Sequence, residues 1–289
     1  MLNNKIDFAA IVSVKNANPN GDPLNGNRPR VNYEGYGELS DVSIKRKIRN
    51  RLMETGETIF VQPDEDRLDN YRSLRSRAEG ELKDYLKDEM VFRREACKKW
   101  LDVRAFGQVF AIKGEKKGEG VSIGIRGPVS VHPAFSVNPI TVSSIQITKS
   151  VNGEGEGAKK SSDTMGMKHR VDFGVYLFFG SINPQLAIKT GFDEKDAEAI
   201  KKSIINLYEN DASSARPEGS MEVFRVYWWR HNSKSGQYSS AEVHRTLKLS
   251  LKPGVSEPKS MDDYNITLRE LDNLTPEIIE RGTVIQKGS

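Results

Sequence analysis

The sequence predicts an α+β fold with a ferredoxin-like core, on three observations. Strand-like apolar segments recur along the chain, helical apolar periodicity marks two others, and these run strand, helix, strand, strand, helix, strand. That order is the split βαβ arrangement that RNA-recognition motifs also use. Large insertions interrupt it after the first helix and between the second and third strands.

The first strand is read from Ile6, Phe8, Ala10, Val12 and Val14, alternating with Asp7, Ala9, Ile11 and Ser13. Apolar residues on both faces suit a well-buried strand. A loop from Asn16 to Leu39 follows, with the turn signatures PNGDP and NGNRP. A loop of this length in a compact domain points to function. Ser40 is the expected N-cap of the first helix, with Asp41 in its first turn. Ile44, Ile48 and Leu52 form its core stripe, Ser43, Arg46, Arg49 and Asn50 project opposite, Lys45 and Lys47 flank, and Gly56 helps to end it.

Residues 62–100 are charged and read as an inserted helical subdomain with a narrow stripe that includes Leu68, Tyr71, Leu74, Leu82, Tyr85 and Leu86. The apolar element WLDVRAFGQVFAI has Asp102 and Arg104 embedded, and GEKKGEG is a flexible polar loop. Residues 121–131 are a strand broken at Gly127-Pro128, a bulge or an edge position. Residues 132–170 start extended and pass into a glycine-rich basic tip, an arm projecting from the sheet. The next strand, VDFGVYLFFG, sets Val171, Phe173, Val175, Leu177 and Phe179 on one face. Asp193 caps the second helix, whose stripe is Ala197, Ile200, Ile204, Leu207 and Tyr208. In the strand MEVFRVYWWR, Trp228 and Trp229 point to opposite faces, so at least one is core and the other suits a subunit contact or a place beneath a loop. VHRTLKLSL reads as a further strand, and residues 253–289 as a polar tail with a short helix over Pro276–Arg281.

The 289 residues bury one large core or two small ones, and 36% hydrophobic with 29% charged residues fits a folded protein. A formal net charge of +4 does not by itself argue for nucleic acid, so that argument rests on where the charge is placed. The single cysteine, Cys97, excludes an internal disulfide and a multi-thiolate zinc site. The start reads as a strand rather than a signal peptide, and no apolar run approaches the roughly 20 residues that cross a bilayer. A cytoplasmic location without a membrane partner is expected.

Catalytic patterns are not found. The four histidines make no HxH, HExxH or Cys–His spacing, and His132 and His244, at strand edges, read as structural. There is no GxSxG elbow, and GEGEGAKKSS lacks Walker A spacing. Asp22 is the one carboxylate beside a cluster of cations, and it reads as an Asx-turn residue. No metal, cofactor or catalytic residue is expected. Positive charge gathers in two places instead. Lys15, Arg28, Arg30, Lys45, Arg46, Lys47 and Arg49 belong to the first strand–loop–helix, with the amides of Asn16, Asn18, Asn20, Asn25 and Asn27. Lys159, Lys160, Lys168, His169 and Arg170 belong to the arm. Two cationic elements flanking a sheet suit the backbone of a single-stranded nucleic acid. The aromatic signature for base stacking on the sheet is missing. Met165 and Met167 either wedge between bases or pack locally.

In order, NANPNGDPLNGNRPR, SDVSIKRKIRNRL, LDVRAFGQVFA, GIRGPVSV, SSDTMGMKHRVDFGVYLFFGSINP and the VYWW strand resemble the backbone subunit of type I CRISPR–Cas surveillance complexes (Cascade), in the subtype I-C form. The resemblance implies a modified RNA-recognition palm (residues 1–53, 121–131 and 171–252), helical fingers (54–120) and a β-hairpin thumb (132–170). It implies a non-catalytic scaffold whose copies stack head to tail in a helical filament along a CRISPR guide RNA. Each thumb reaches its neighbour's palm, and the guide is presented for pairing with target DNA, with other Cascade subunits at the filament ends. For guide binding it points to Ser43, Lys45, Arg46 and Arg49 on the helix. Asn18, Asn20 and Arg28 in the loop follow, then Met165, Lys168, His169 and Arg170 on the thumb. Reversing Arg46 and Arg49 to Glu is expected to abolish RNA co-purification and spare the fold. The alternative is a metal-dependent, guide-directed RNA endonuclease, as in the related type III backbone subunits, which place an aspartate in the loop where Asp22 stands.

Overall fold

The computed structural model describes residues 1–112, 121–148 and 165–288. Strand β1 (Ile6–Ala17) is apolar on both faces, and it runs through the middle of a nine-stranded antiparallel sheet. The loop after it is built from short pieces. A two-stranded pair, β2 (Gly21–Asp22) and β3 (Arg28–Pro29), is closed by a 3-10 turn, and β4 (Tyr36–Leu39) reaches the edge of the large sheet. Helix α1 (Asp41–Glu54) starts where expected, its Ser43 N–H donating to Ser40 Oγ at 3.2 Å.

The insertion comprises α2 (Leu74–Glu81), α3 (Glu89–Lys99), α4 (Leu101–Phe106), β5 (Gly107–Ile112) and β6 (Val121–Arg126). Strand β6 pairs with β5 rather than with the large sheet, so the insertion continues to Arg126. The chain turns sharply there. Gly107 has φ 79°, and a Cβ on it would lie 2.3 Å from the Ile125 carbonyl oxygen. Phe60, Phe92, Trp100 and Phe110 form a separate core, with Phe110 ring centroids 4.9 Å from Phe60 and 5.1 Å from Phe92.

Strands β7 (Val129–Val131), β8 (Ala134–Pro139), β9 (Val142–Thr148) and the long β10 (Met165–Ile182) follow. After them come α5 (Pro184–Thr190), α6 (Glu194–Ile205), β11 (Met221–Arg230), α7 (Ser240–His244), β12 (Leu247–Leu251), β13 (Tyr264–Leu268), β14 (Glu277–Glu280) and β15 (Thr283–Gln286). The sheet order is β15-β14-β11-β1-β10-β8-β4, with β7 and β9 also paired to β10. The fold is therefore mixed α/β around one large antiparallel sheet. No helix among the described residues is long and apolar enough to cross a membrane.

Both sheet faces are covered. On the helix side, Phe8, Ala10, Val12 and Val14 pack with Ile44, Ile48 and Leu52 of α1 and Ala197, Ile200 and Ile204 of α6. On the other side, Ala9, Ile11, Val175, Tyr227 and Trp229 pack beneath Val243, Leu247 and Tyr264, from α7 and the β12–β13 hairpin. Both tryptophans are core, Trp228 stacked on Phe8 and Trp229 on Tyr227, which leaves neither for a subunit contact.

Four expectations change. Residues 253–289 are not a tail, because β14 joins the large sheet beside β11, and Pro276–Arg281 contains that strand rather than a helix. Ile278 and Ile279 enter opposite cores, a period of two that rules out a helix there. VHRTLKLSL splits into the end of α7 and β12, which pairs with β13. Val171 lies in the helix-side core and not with Val175. The side chains change face near Asn16 (φ 54°), between the pairs Lys15↔Phe173 and Ala17↔Val171.

Candidate nucleic-acid interface

The loop after β1 is ordered by its amides. Asn18 Nδ2 donates to the Asn27 carbonyl at 2.6 Å, and Asn20 Oδ1 accepts from the Ser40 N–H at 2.9 Å, which ties the loop to the start of α1. These two amides therefore shape the loop instead of pointing outward, and Asn18 is buried. Asp22 behaves as an Asx-turn residue. Its Oδ1 accepts from the Leu24 N–H at 3.2 Å, and Arg30 lies 3.8 Å away.

The basic helix is not an open basic face. Lys45 pairs with Asp41 at 3.0 Å, Arg46 with Glu65 at 3.3 Å, Lys47 with Asp211 and Arg51 with Glu54. Lys47, expected on a flank, is buried. Burial pulls its ammonium below the ordinary lysine value, against the opposing contact with Asp211. Arg49 is also committed. Its Nε donates to Asp102 Oδ2 at 2.9 Å, and its guanidinium lies 5.2 Å from the Phe106 ring centroid. Asp102, 1% exposed, also accepts from the Phe60 and Val61 N–H groups at 2.7 and 3.1 Å. The expectation that Arg49→Glu spares the fold is thus overturned, because it would set a carboxylate against a buried one. Ser43 is half-buried on α1, and Arg46 is the helix cation with the most exposed side chain.

The two cationic pieces meet elsewhere. Strands β9 and β10 pair from Val142↔Val171 to Thr148↔Met165, forming the stem of the arm. Residues 149–164, with Lys159, Lys160 and the glycine-rich tip, lie outside the described residues. At the base of the stem, Arg28 Nη1 donates to Ser144 Oγ at 2.9 Å and lies 3.5 Å from His169 Nδ1, while Ser144 Oγ is 2.9 Å from the same His169 nitrogen. Directly paired residues share a face, so Met165, Met167 and His169 line one side with Ser144 and Gln146. Met165 and Met167 are exposed there rather than packed under a neighbour. Lys168 points to the other side and is exposed, with no carboxylate partner among the described residues. Arg170 lies 3.9 Å from Asp172. Asn18 Oδ1, Arg30 Nε and Arg170 Nε are buried without a hydrogen-bond partner among the described residues.

A family model described as "CRISPR-associated protein Cas7" matches residues 4–269. The chain belongs to the Cas7 family. A relative in Haloferax volcanii, "CRISPR-associated protein Cas7", is 24% identical over 293 residues, spanning 96% of this chain and 81% of its own length. Among solved structures, a chain of a "CRISPR RNA-guided surveillance complex, pre-nicking" is similar with a TM-score of 0.47 and 14% identity, over 88% of this chain and 84% of that one. A chain of a "CRISPR RNA-guided surveillance complex" has a TM-score of 0.42 and 18% identity, over 87% and 78%.

Sequence reasoning missed Ser144, the hydroxyl that joins loop to stem in this Cas7-family chain. Nothing in TVSSIQ distinguishes it from any outward-facing strand residue. It also missed that carboxylates outside α1 neutralise its cations, Glu65 and Asp102 from the insertion and Asp211 from the segment after α6.

Proposed function

We propose that the chain is a non-catalytic, guide-RNA-binding backbone subunit of a CRISPR RNA-guided surveillance complex, of the subtype I-C form. The observation that carries this reading is the convergence of Arg28, Ser144 and His169, which joins the loop after β1 to the stem of the arm. Strands β11, β1, β10 and β7 with α1 and α6 serve as a ferredoxin-like palm, residues 54–126 as fingers and the β9–β10 hairpin as the thumb. Lys168, Arg170, Arg28 and Arg46 take phosphate oxygens, and Met165 and Met167 press against bases. Asn18, Asn20 and Ser43 hold the loop and the helix start in shape, and Arg49 supports the helix from behind.

Contacts to phosphate and sugar are blind to sequence, as a subunit holding many different guides requires. Recognition is then left to base pairing between the guide and target DNA. Around β1 both sheet faces are closed by packed cores, which favours a guide seat at the loop and stem over stacking on the central strands. Copies associate head to tail, a heterologous contact that grows into a filament when it does not close. Other subunits cap its ends.

The test is RNA co-purification. Wild-type protein is expected to carry RNA of one uniform length, and Arg28→Glu with Lys168→Glu to lose it at an unchanged melting temperature. RNA at wild-type yield in that variant would place the seat elsewhere. Asp22 is assigned a turn, not a catalytic role. Incubated with magnesium and guide-complementary RNA, wild type and Asp22→Ala are both expected to leave that RNA intact. Regularly spaced cuts lost in Asp22→Ala would overturn the scaffold reading in favour of the endonuclease.

A further inference from the structure

We propose that a groove between β10 and β12, further along β10 than the thumb stem, binds a second single-stranded nucleic acid, separate from the strand held at the stem. The groove has a volume of about 660 Å³. Its floor is Leu177 and Phe179, which stay half-buried although Val175 on the same side is covered. The β12–β13 cover stops short here. Phe135, the register partner of Leu177, extends the apolar floor and is 41% exposed. The buried His244 ring stacks on Phe179 at 4.7 Å and 23° and fixes that ring in the floor.

The rim is cationic because of strand register. Leu247, Leu249 and Leu268 pack inward, so the alternate residues Lys248 and Arg269 face outward, and exposed Arg245 precedes them. The only carboxylate paired to these three cations among the described residues is Glu242, 3.9 Å from Arg269. Helix α1 is the contrast, since its five cations are held by carboxylates from elsewhere in the chain or from their own turn.

The groove and the stem seat are separate. Of the stem residues, His169 shares the helix side with Val171 and Lys168 faces the side of Phe179, so the separation is one of distance along the strand. From His169 to Phe179, β10 advances ten residue steps, about 33 Å. Flat aromatic surface bordered by cations is the chemistry of sequence-tolerant single-strand binding, in which bases stack and phosphates meet Lys and Arg. An acidic protein segment would use the cations but gain little from the flat floor, so the nucleic acid is favoured.

The test is fluorescence anisotropy of a labelled oligothymidylate of about 12 nucleotides, added to the protein as purified and again after nucleic acid is stripped at high salt. The expected result is binding in both preparations, with a log–log salt slope of about −2 for three phosphate contacts to a single strand. In the protein as purified, whose stem is filled, Lys248→Glu with Arg269→Glu is expected to lose this binding and Phe135→Ala to weaken it, while Arg28→Glu with Lys168→Glu keeps it after stripping. An emptied stem can take the probe as well, so the stripped Arg28/Lys168 variant reads the groove alone, and its result does not depend on the stem reading. Wild-type affinity in the as-purified Lys248/Arg269 variant overturns the proposal, as does loss of binding in the stripped Arg28/Lys168 variant. Unchanged oligonucleotide binding with altered sedimentation of the assembly would assign the groove to a protein contact instead.

Discussion

Arg46 and Arg49 lie one turn apart on α1, yet reversing them has different consequences. The Arg46 pair with Glu65 is exposed at both ends, and such pairs contribute about 0–1 kcal/mol. Arg46→Glu is therefore expected to leave the denaturation midpoint close to wild type. Arg49→Glu leaves Asp102 buried without its cation and adds a second negative charge, a loss of about 3 kcal/mol or more. Urea denaturation of the two single variants checks the contrast. At the other end of the sheet, Asp7 is buried between His231 Nε2 at 2.8 Å and Lys5 Nζ at 3.1 Å. The Gln237 N–H donates to His231 Nδ1 at 3.0 Å, which leaves Nε2 as the ring nitrogen that donates to Asp7. Burial alone would raise the Asp7 carboxyl, but hydrogen bonds from His231 and Ser240 with the Lys5 charge hold it below its ordinary value. The unfolded chain therefore takes up this proton first as pH falls. The stabilisation is present above about pH 4, the unfolded aspartate range, and is lost as pH falls through the lower folded value. Asp7→Asn is expected to flatten stability against pH in that acidic window, as measured by denaturation at successive pH values.

At the scale of elements, two buried ionic contacts dock the insertion on the main sheet. Arg104 meets Asp196 with two hydrogen bonds, at 2.8 and 2.7 Å, joining α4 to α6. Asp102 joins Arg49 of α1 to the backbone at Phe60 and Val61. Arg104→Ala is expected to cost about 3 kcal/mol, since Asp196 stays buried without its partner. Hydrogen exchange would show the loss as faster opening of α4 than of β1. Cys97 offers a direct readout of the insertion core. Burial pushes its thiol up to about 11, with Arg104 opposing, and the side chain is covered. A thiol reagent at neutral pH is expected to leave Cys97 unlabelled in the native protein and to label it quickly once urea opens this core. Fast native labelling would show that the insertion opens independently of the sheet.

At the scale of the whole molecule, the C-terminal stretch decides whether the sheet is complete. The family match ends at residue 269, but Leu271, Leu274 and Ile278 fill one core and Ile279 the other. Each fully buried side chain of this kind contributes about 1.5–3 kcal/mol. Their sum is comparable with the roughly 5–15 kcal/mol that holds a whole domain together. Deleting residues 270–289 also bares the edge of β11. That truncation is expected to be insoluble or unfolded by circular dichroism, whereas deleting only residues 287–289 leaves the melting curve unchanged.

The elements were legible because their signals are local. Period-two alternation marked β1, β10 and β11, a four-residue stripe with Ser40 or Asp193 as cap marked α1 and α6, and turn residues marked the loop after β1. The same local reading placed Asp22 in a turn and both basic clusters beside the sheet. Tertiary structure decided which charges are available. Lys47 and Arg49 look like Lys168 in sequence, but carboxylates 164 and 53 residues away capture them, while Lys168 stays exposed. Ser144 became a functional candidate only when the stem brought it to Arg28, 116 residues distant. Periodicity reports the side of an element on which a residue lies. Whether a charge there meets water, a ligand or an opposite charge depends on what the rest of the chain packs against it.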